Sequence, residues 1–170
     1  KSNRVKALVV CPAQLEGNWS PERLHANGIF GETVSMEYLP QLADIDEIED
    51  DLERERRRRK LRALQDADIV LVDESHNFRN PGTKRYRALM EIIRAGAKPD
   101  KRVLLLTATP INNTLWDLYH QLMLITRGDN SWYAGRGPVG NLEGEFRSLE
   151  KTGGGPGLLN TMLLTLVRRT

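Results

Sequence analysis

Two carboxylates follow a short apolar run near the middle of the 170-residue chain. The run at positions 69–72 (Ile-Val-Leu-Val) is continuous rather than alternating, which is typical of a central parallel strand covered by helices on both faces. Asp73 and Glu74 come next. Parallel sheets bind ligands beyond the carboxyl ends of their strands. These side chains could therefore hold Mg²⁺ through its water shell and activate an attacking water, although an ordinary polar turn is the alternative interpretation.

A second apolar run, at positions 103–106, ends in the hydroxyl residues Thr107 and Thr109. If the two predicted strands are parallel neighbours, these hydroxyls emerge beside Asp73 and His76, within reach of hydrogen bonds between the two strand ends. The alternative is that both threonines only form a turn where a strand ends.

Three segments of the chain resemble the Swi/Snf-type DNA translocases of helicase superfamily two. The segment 73–76 (Asp-Glu-Ser-His) looks like helicase motif II, with serine where many members have alanine. The segment 107–113 (Thr-Ala-Thr-Pro-Ile-Asn-Asn) looks like motif III, and the stretch 7–15, which leads to Trp19, is similar to motif Ia. The closing segment 167–170 also resembles the end of the first lobe in this family.

The resemblance implies an α/β fold, a three-layer parallel sheet of the RecA-like P-loop NTPase type, in an incomplete form. Residues 1–170 would be part of the N-terminal RecA-like ATPase lobe, from motif Ia to the end of the lobe. The phosphate-binding string G-x-x-x-x-G-K-[ST] does not occur in the sequence, and the glycine-rich stretch 153–157 lacks the lysine that should follow it. We therefore expect a fragment of a larger protein, with motif I upstream, and a flexible loop at 153–157.

The resemblance also implies an activity, which is ATP hydrolysis coupled to movement on duplex DNA. Its cofactors would be ATP and Mg²⁺, and its partners would be nucleic acid and a second RecA-like lobe that supplies an arginine finger. Asp73 would anchor Mg²⁺ through water, and Glu74 would activate the attacking water. His76, Thr107 and Thr109 would connect the state of the nucleotide to the grip on DNA.

Five further residues are candidates for contact with nucleic acid through the same resemblance. Pro12, Ala13 and Gln14 would face the nucleic-acid backbone, and Arg79 and Asn80, which follow motif II, are candidates for phosphate contact. Since the phosphate loop and the partner lobe are both missing from the sequence, we expect this chain alone to hydrolyse ATP negligibly. The alternative function is a non-catalytic scaffold with a helicase-like fold that binds DNA or protein.

Composition places the chain among ordinary globular domains. It is 39% hydrophobic and 28% charged, and its formal net charge of +2 is too small to indicate nucleic-acid binding by itself. We expect no membrane partner and a cytoplasmic location, associated with the nucleoid in a prokaryote, because no apolar run approaches the length of a membrane span and no signal peptide is visible. The single cysteine, Cys11, is expected to be a buried small residue, and the histidines have no zinc-site spacing.

Hydrophobic periodicity predicts the remaining elements. The segment 44–62 predicts a charged helix with an acidic start and a basic end, which we interpret as solvated rather than as a DNA-binding patch. The segment 127–157, which contains Trp132 and Tyr133, predicts a loop. The other predicted elements are strands at 6–10 and 33–38, helices at 84–94 and 115–125, and an apolar helix or strand at 158–167.

Overall fold

The computed structural model describes residues 5–95, 101–108, 114–135 and 139–152. In this part of the chain four strands form one sheet, and five helices connect or flank them. The strands are β1 (Lys6–Cys11), β2 (Phe30–Ser35), β3 (Ile69–Val72) and β4 (Arg102–Leu105), and the helices are α1 (Pro21–Ala26), α2 (Asp51–Gln65), α3 (Lys84–Arg94), α4 (Leu115–Ile125) and α5 (Leu142–Thr152).

All strands of this sheet are parallel, in the order β2-β1-β3-β4. Val10 of β1 lies opposite Val72 of β3, which in turn lies opposite Leu105 of β4. The carboxyl ends of these three strands therefore meet at one edge of the sheet. The predicted α/β class is confirmed, and so is the parallel pairing of the two strands that carry motifs II and III.

Helices cover both faces of the sheet, which gives the three predicted layers. On one face, alternate residues of β1 and β3 are buried against α2 and α3, and this cluster includes Leu8, Val10, Val70, Val72, Leu61, Leu64, Leu89 and Ile92. On the other face, Val9 and Cys11 pack with Leu24 of α1. Burial of one such aliphatic side chain stabilises the fold by about 1.5–3 kcal/mol.

Two predicted elements lie in shifted positions. β2 covers Phe30–Ser35 rather than 33–38, because it pairs with β1 from Phe30 onwards. Gly31 permits this pairing, since a Cβ there would collide with the carbonyl of Ala7. The helix predicted at 44–62 begins only at Asp51, where the Asp50 carboxylate accepts hydrogen bonds from two amides of the first turn.

The prediction of a loop over 127–157 is wrong. Helix α5 lies within that segment, and its residues Leu142 and Phe146 are fully buried against α4. Tyr133 is only 6% exposed and packs in the same cluster. The predicted features at 153–157, 158–167 and 167–170 lie outside the described residues.

A buried lysine at the start of β4 forms hydrogen bonds with the ends of two helices. Lys101, which directly precedes β4, is only 3% exposed, and its ammonium group donates hydrogen bonds to the carbonyls of Gln65, Ile92 and Ala95 at 2.7, 2.7 and 3.1 Å. These carbonyls lie at the carboxyl ends of α2 and α3, where a cation is favoured by the helix dipoles. No helix in the described part is both long and apolar enough to cross a membrane.

Replacing this lysine by an apolar residue should destabilise the lobe. We expect Lys101→Met to lower the free energy of unfolding by about 2 kcal/mol, because three helix-end carbonyls lose a charged donor. The control is Lys84→Met, since Lys84 is 58% exposed and forms a surface ion pair with Asp44, and such pairs contribute about 0.5 kcal/mol. Urea unfolding followed by circular dichroism gives both values, and equal losses would contradict the role assigned to Lys101.

Candidate functional site

Backbone hydrogen bonds continue beyond the ends of the strands and bring the motif residues together. The amide of Asp73 donates to the carbonyl of Val10 at 2.8 Å, and the amide of Leu106 donates to the carbonyl of Val72 at 2.8 Å. The amide of Ser75 then donates to the carbonyl of Leu106 at 2.8 Å. The segments that follow β1, β3 and β4 therefore lie side by side at the carboxyl edge.

The carboxylate of Asp73 is held by a donor on each oxygen. Its Oδ2 accepts a hydrogen bond from the indole Nε1 of Trp19 at 2.8 Å, and its Oδ1 accepts one from the amide of Glu74 at 3.0 Å. A carboxylate offers about four lone-pair sites, so each oxygen retains one for a further donor. The sequence motif includes Trp19, but nothing local in the sequence indicates its bond to Asp73.

Glu74 lies in the left-handed backbone region, with φ of 51° and ψ of 48°. This conformation costs a residue other than glycine roughly 1–2 kcal/mol, and such strain is common at functional sites. It turns the chain sharply after β3 into the 3-10 turn Ser75–Phe78. The Glu74 side chain is 40% exposed, so its carboxylate is accessible at the edge.

His76 connects the motif II turn to the end of β4. Its Nδ1 lies 3.2 Å from the hydroxyl of Thr107 and 3.2 Å from Oε2 of Glu74. Asn77 supports the same turn by donating from its side chain to the carbonyl of Glu74 at 3.0 Å. The predicted contact between the two strand ends is thus present for Thr107, whereas Thr109 lies outside the described residues.

A buried polar contact links the motif II turn to α4. The hydroxyl of Ser75 is fully buried and donates to Oε1 of Gln121 at 3.0 Å. At the start of α4, the amide of Thr114 donates to Oδ2 of Asp117 at 3.4 Å. Since α4 follows the motif III segment, Ser75 gives a second connection between the two motifs.

The candidate nucleic-acid residues of motif Ia occupy a 3-10 turn after β1, the turn Ala13–Leu15. Ala13 and Gln14 are exposed, whereas Pro12 is buried. The amide of Ala13 donates to the carboxylate of Glu37 at 3.0 Å, which fixes the turn against the segment after β2.

Arg79 and Asn80 lie beyond the motif II turn. The Nη1 atom of Arg79 is buried and has no hydrogen-bond partner among the described residues. Asn80 is exposed, but its Oδ1 accepts a hydrogen bond from the amide of Gly82 at 2.9 Å, so its side chain already shapes the turn before α3.

The basic run on α2 is largely neutralised within the chain. Arg57 pairs with Glu53, four residues earlier on the same helix, at 2.7 Å, and Lys60 pairs with Glu32 at 3.0 Å. These pairs are consistent with a solvated helix rather than with a patch dedicated to phosphates.

The carboxyl edge is acidic, as the environment of Cys11 shows. Burial, together with the negative charges of Glu16, Asp73 and Glu37, raises the pKa of the Cys11 thiol to about 11. The thiol is therefore protonated at neutral pH and unsuited to nucleophilic chemistry. A polyphosphate would be repelled by these carboxylates unless a cation accompanied it.

The residues present fit a water-coordinated magnesium ion. Mg²⁺ usually keeps several waters and binds proteins through one or two carboxylates. The described residues contain no group of three or more His, Cys, Asp or Glu side chains placed to enclose a metal. Asp73, with a free lone pair on each oxygen and Glu74 beside it, suits that mode of binding.

Comparison with curated proteins identifies three relatives, while no family model matches the chain. The chain is 28% identical over 123 residues to the uncharacterized ATP-dependent helicase YqhH of Bacillus subtilis. The matched region covers 72% of this chain and 21% of that protein. It is 29% identical over 133 residues to the TATA-binding protein-associated factor MOT1 of Saccharomyces cerevisiae, covering 72% of this chain and 7% of the relative. A 69-residue stretch is 32% identical to the Arabidopsis thaliana protein CHROMATIN REMODELING 24, covering 39% of this chain and 6% of that protein.

Among solved structures, the fold is similar to the SWI2/SNF2 ATPase core of Sulfolobus solfataricus in complex with double-stranded DNA. The TM-score is 0.58 at 19% sequence identity, and the alignment covers 99% of this chain and 34% of that one. The chain thus spans about a fifth or less of the curated relatives and about a third of the structural neighbour. These matches agree with what motifs Ia, II and III indicate, because the chain is similar in sequence to helicases and ATPases of the SNF2 family and similar in fold to a SWI2/SNF2 ATPase core.

Proposed function

We propose that this chain is part of the N-terminal RecA-like lobe of an ATP-dependent motor that moves on duplex DNA. The observation that carries the proposal is the contact between the ends of β3 and β4, where His76 meets both Thr107 and Glu74. This contact brings a pair of acidic side chains and a hydroxyl to one edge of a parallel sheet, the place where such sheets bind nucleotides.

Each residue of the edge has a role in this function. Asp73 anchors Mg²⁺ through its water shell, and Glu74 orients the attacking water and takes up its proton. Mg²⁺ neutralises charge on the β- and γ-phosphates of ATP when it is bound. Glu74 directly follows Asp73 in the chain and its carboxylate is exposed at the same edge, so we assign it to a water near that ion.

The chain offers a physical route from the nucleotide to the nucleic acid. His76 contacts Thr107 at 3.2 Å, so a shift of the Glu74 carboxylate changes the position of the segment after β4. Thr109, which follows two positions later in the sequence, keeps the same proposed role. We assign the nucleic-acid contact to the exposed residues Ala13 and Gln14 at the same edge, with Pro12 shaping their turn, and phosphate contact to Arg79 and Asn80.

Duplex DNA is the substrate that the comparisons favour. The structural neighbour is described in complex with double-stranded DNA, and the yeast relative is named for its association with a TATA-binding protein. The arginine finger and the second lobe of the motor would come from elsewhere in the parent protein.

Replacing the proposed base tests the assignment of Glu74. In the full-length protein, Glu74→Gln keeps the size of the side chain but cannot accept a proton, so we expect ATP turnover with duplex DNA to fall about 10²–10⁴-fold with little change in nucleotide affinity. Glu55→Gln, at an exposed position on α2, is the matched control. Steady-state hydrolysis and equilibrium binding of a labelled nucleotide measure the two effects. Unchanged turnover in Glu74→Gln would contradict its role as the base, whereas an absence of turnover in the wild-type full-length protein would favour the non-catalytic scaffold.

Removing one hydroxyl tests the connection between the strand ends. We expect Thr107→Val, which is nearly isosteric, to reduce the stimulation of ATP hydrolysis by DNA about tenfold, because His76 loses its contact on the β4 side. Thr152→Val at the exposed end of α5 is the control. Hydrolysis measured with and without duplex DNA gives the ratio, and a wild-type ratio in Thr107→Val would refute the connection.

The isolated chain tests the contribution of the missing phosphate loop. We expect the 170-residue chain to hydrolyse ATP at the background rate, because it carries no G-x-x-x-x-G-K-[ST] string to hold the phosphates. The comparison is a turnover assay with duplex DNA on this chain and on its full-length parent. Appreciable turnover by the isolated chain would show that phosphate binding has another source.

A further inference from the structure

Trp19 joins the end of motif Ia to the aspartate of motif II. Its indole Nε1 donates to Oδ2 of Asp73 at 2.8 Å across a separation of 54 residues. Its ring is partly buried and packs against the cluster of Val9, Cys11 and Leu24. The hydroxyl of Thr33 donates to the carbonyl of Trp19, so the residue is fixed on its backbone side as well.

A short chain of backbone hydrogen bonds connects Trp19 to the motif Ia turn. The amide of Trp19 donates to the carbonyls of Leu15 and Glu16 at 3.3 and 3.1 Å, and the amide of Leu15 donates to the carbonyl of Pro12 at 2.8 Å. A displacement of the exposed turn therefore moves the indole, and with it the donor on Asp73.

We propose that Trp19 is a positioning residue, which orients the Asp73 carboxylate for Mg²⁺ and couples it to the motif Ia turn. With the Glu74 amide on Oδ1 and the indole on Oδ2, the plane of the carboxylate is fixed. A carboxylate that holds an ion through a water must present its free lone pairs in one direction, and small errors in placement have large effects on rate. This inference rests on the proposed function.

The substitution Trp19→Phe removes the indole donor and keeps an aromatic ring. We expect it to raise the dissociation constant of Mn²⁺, used as a spectroscopic substitute for Mg²⁺ in the presence of ADP, about tenfold in the full-length protein. We also expect the stimulation of ATP hydrolysis by duplex DNA to fall by a similar factor. Electron paramagnetic resonance of free Mn²⁺ measures the first quantity, which does not depend on turnover.

Trp116→Phe is the matched control. Its indole also donates to a carboxylate, that of Glu150 at 3.2 Å, but it lies in the cluster between α4 and α5 and not at the carboxyl edge. We expect wild-type affinity for Mn²⁺ and wild-type stimulation by DNA in this variant. If Trp19→Phe binds Mn²⁺ more weakly but unfolds at a temperature close to that of the wild type, the effect comes from positioning and not from loss of structure.

A second variant tests the positioning role of Trp19 if Trp19→Phe unfolds. Thr33→Val removes the hydrogen bond that holds the carbonyl of Trp19 and keeps the tryptophan side chain itself. We expect the Mn²⁺ dissociation constant to rise about two- to threefold, which is the order of magnitude expected from the loss of one neutral hydrogen bond. Unchanged Mn²⁺ affinity in the folded variants would overturn the role of Trp19, whereas an absence of DNA-stimulated ATP hydrolysis in the wild-type full-length protein would instead overturn the proposed function.

Discussion

The parallel pairing of β3 with β4 is the constraint on which the whole site depends. Val72 lies opposite Leu105, and the ladder continues when Leu106 donates to Val72 and Ser75 donates to Leu106. Side chains alternate between the two faces of a strand, so a slip of one residue would direct Thr107 away from His76. The chemistry of the edge is therefore set by backbone register before any side chain contributes.

The sequence predicted this part of the molecule well, for a physical reason. Both strands are continuously apolar, as is typical of parallel strands, so the runs at 69–72 and 103–106 are visible without knowledge of their neighbours. The structure buries the first run more fully than the second, since Leu104 of β4 is 50% exposed. Parallel strands end at a common edge, and this geometry led to the prediction that His76 and Thr107 lie near each other. The structure gives 3.2 Å for that contact.

Other features depend on contacts that no local pattern reveals. The hydrogen bond from Trp19 to Asp73 joins positions 54 residues apart, and a tryptophan near a strand end does not indicate its acceptor. Helix α5 was missed because its apolar residues are few and lie among glycines, so that the segment has the composition of a loop. Its helical spacing at Leu142 and Phe146 becomes meaningful only when α4 supplies the surface against which they pack.

The first residue of α2 could not be predicted from the sequence for a different reason. A run of acidic residues suits the amino end of a helix, but any of several aspartates can serve as the cap. Asp44 instead adopts a left-handed backbone, with φ of 54°, and its carboxylate pairs with Lys84 and Arg87 of α3. The carboxylate of Asp44 is therefore engaged by α3, and the capping residue of α2 is Asp50.

The buried hydroxyl of Ser75 has an evolutionary consequence. It donates to Gln121 inside the protein, where neither group meets solvent. A change of Ser75 to alanine alone would withdraw that donor from a buried amide oxygen, which carries a free-energy penalty of about 1–3 kcal/mol. Positions 75 and 121 should therefore covary among homologues. Homologues with alanine at position 75 should often lack glutamine at position 121.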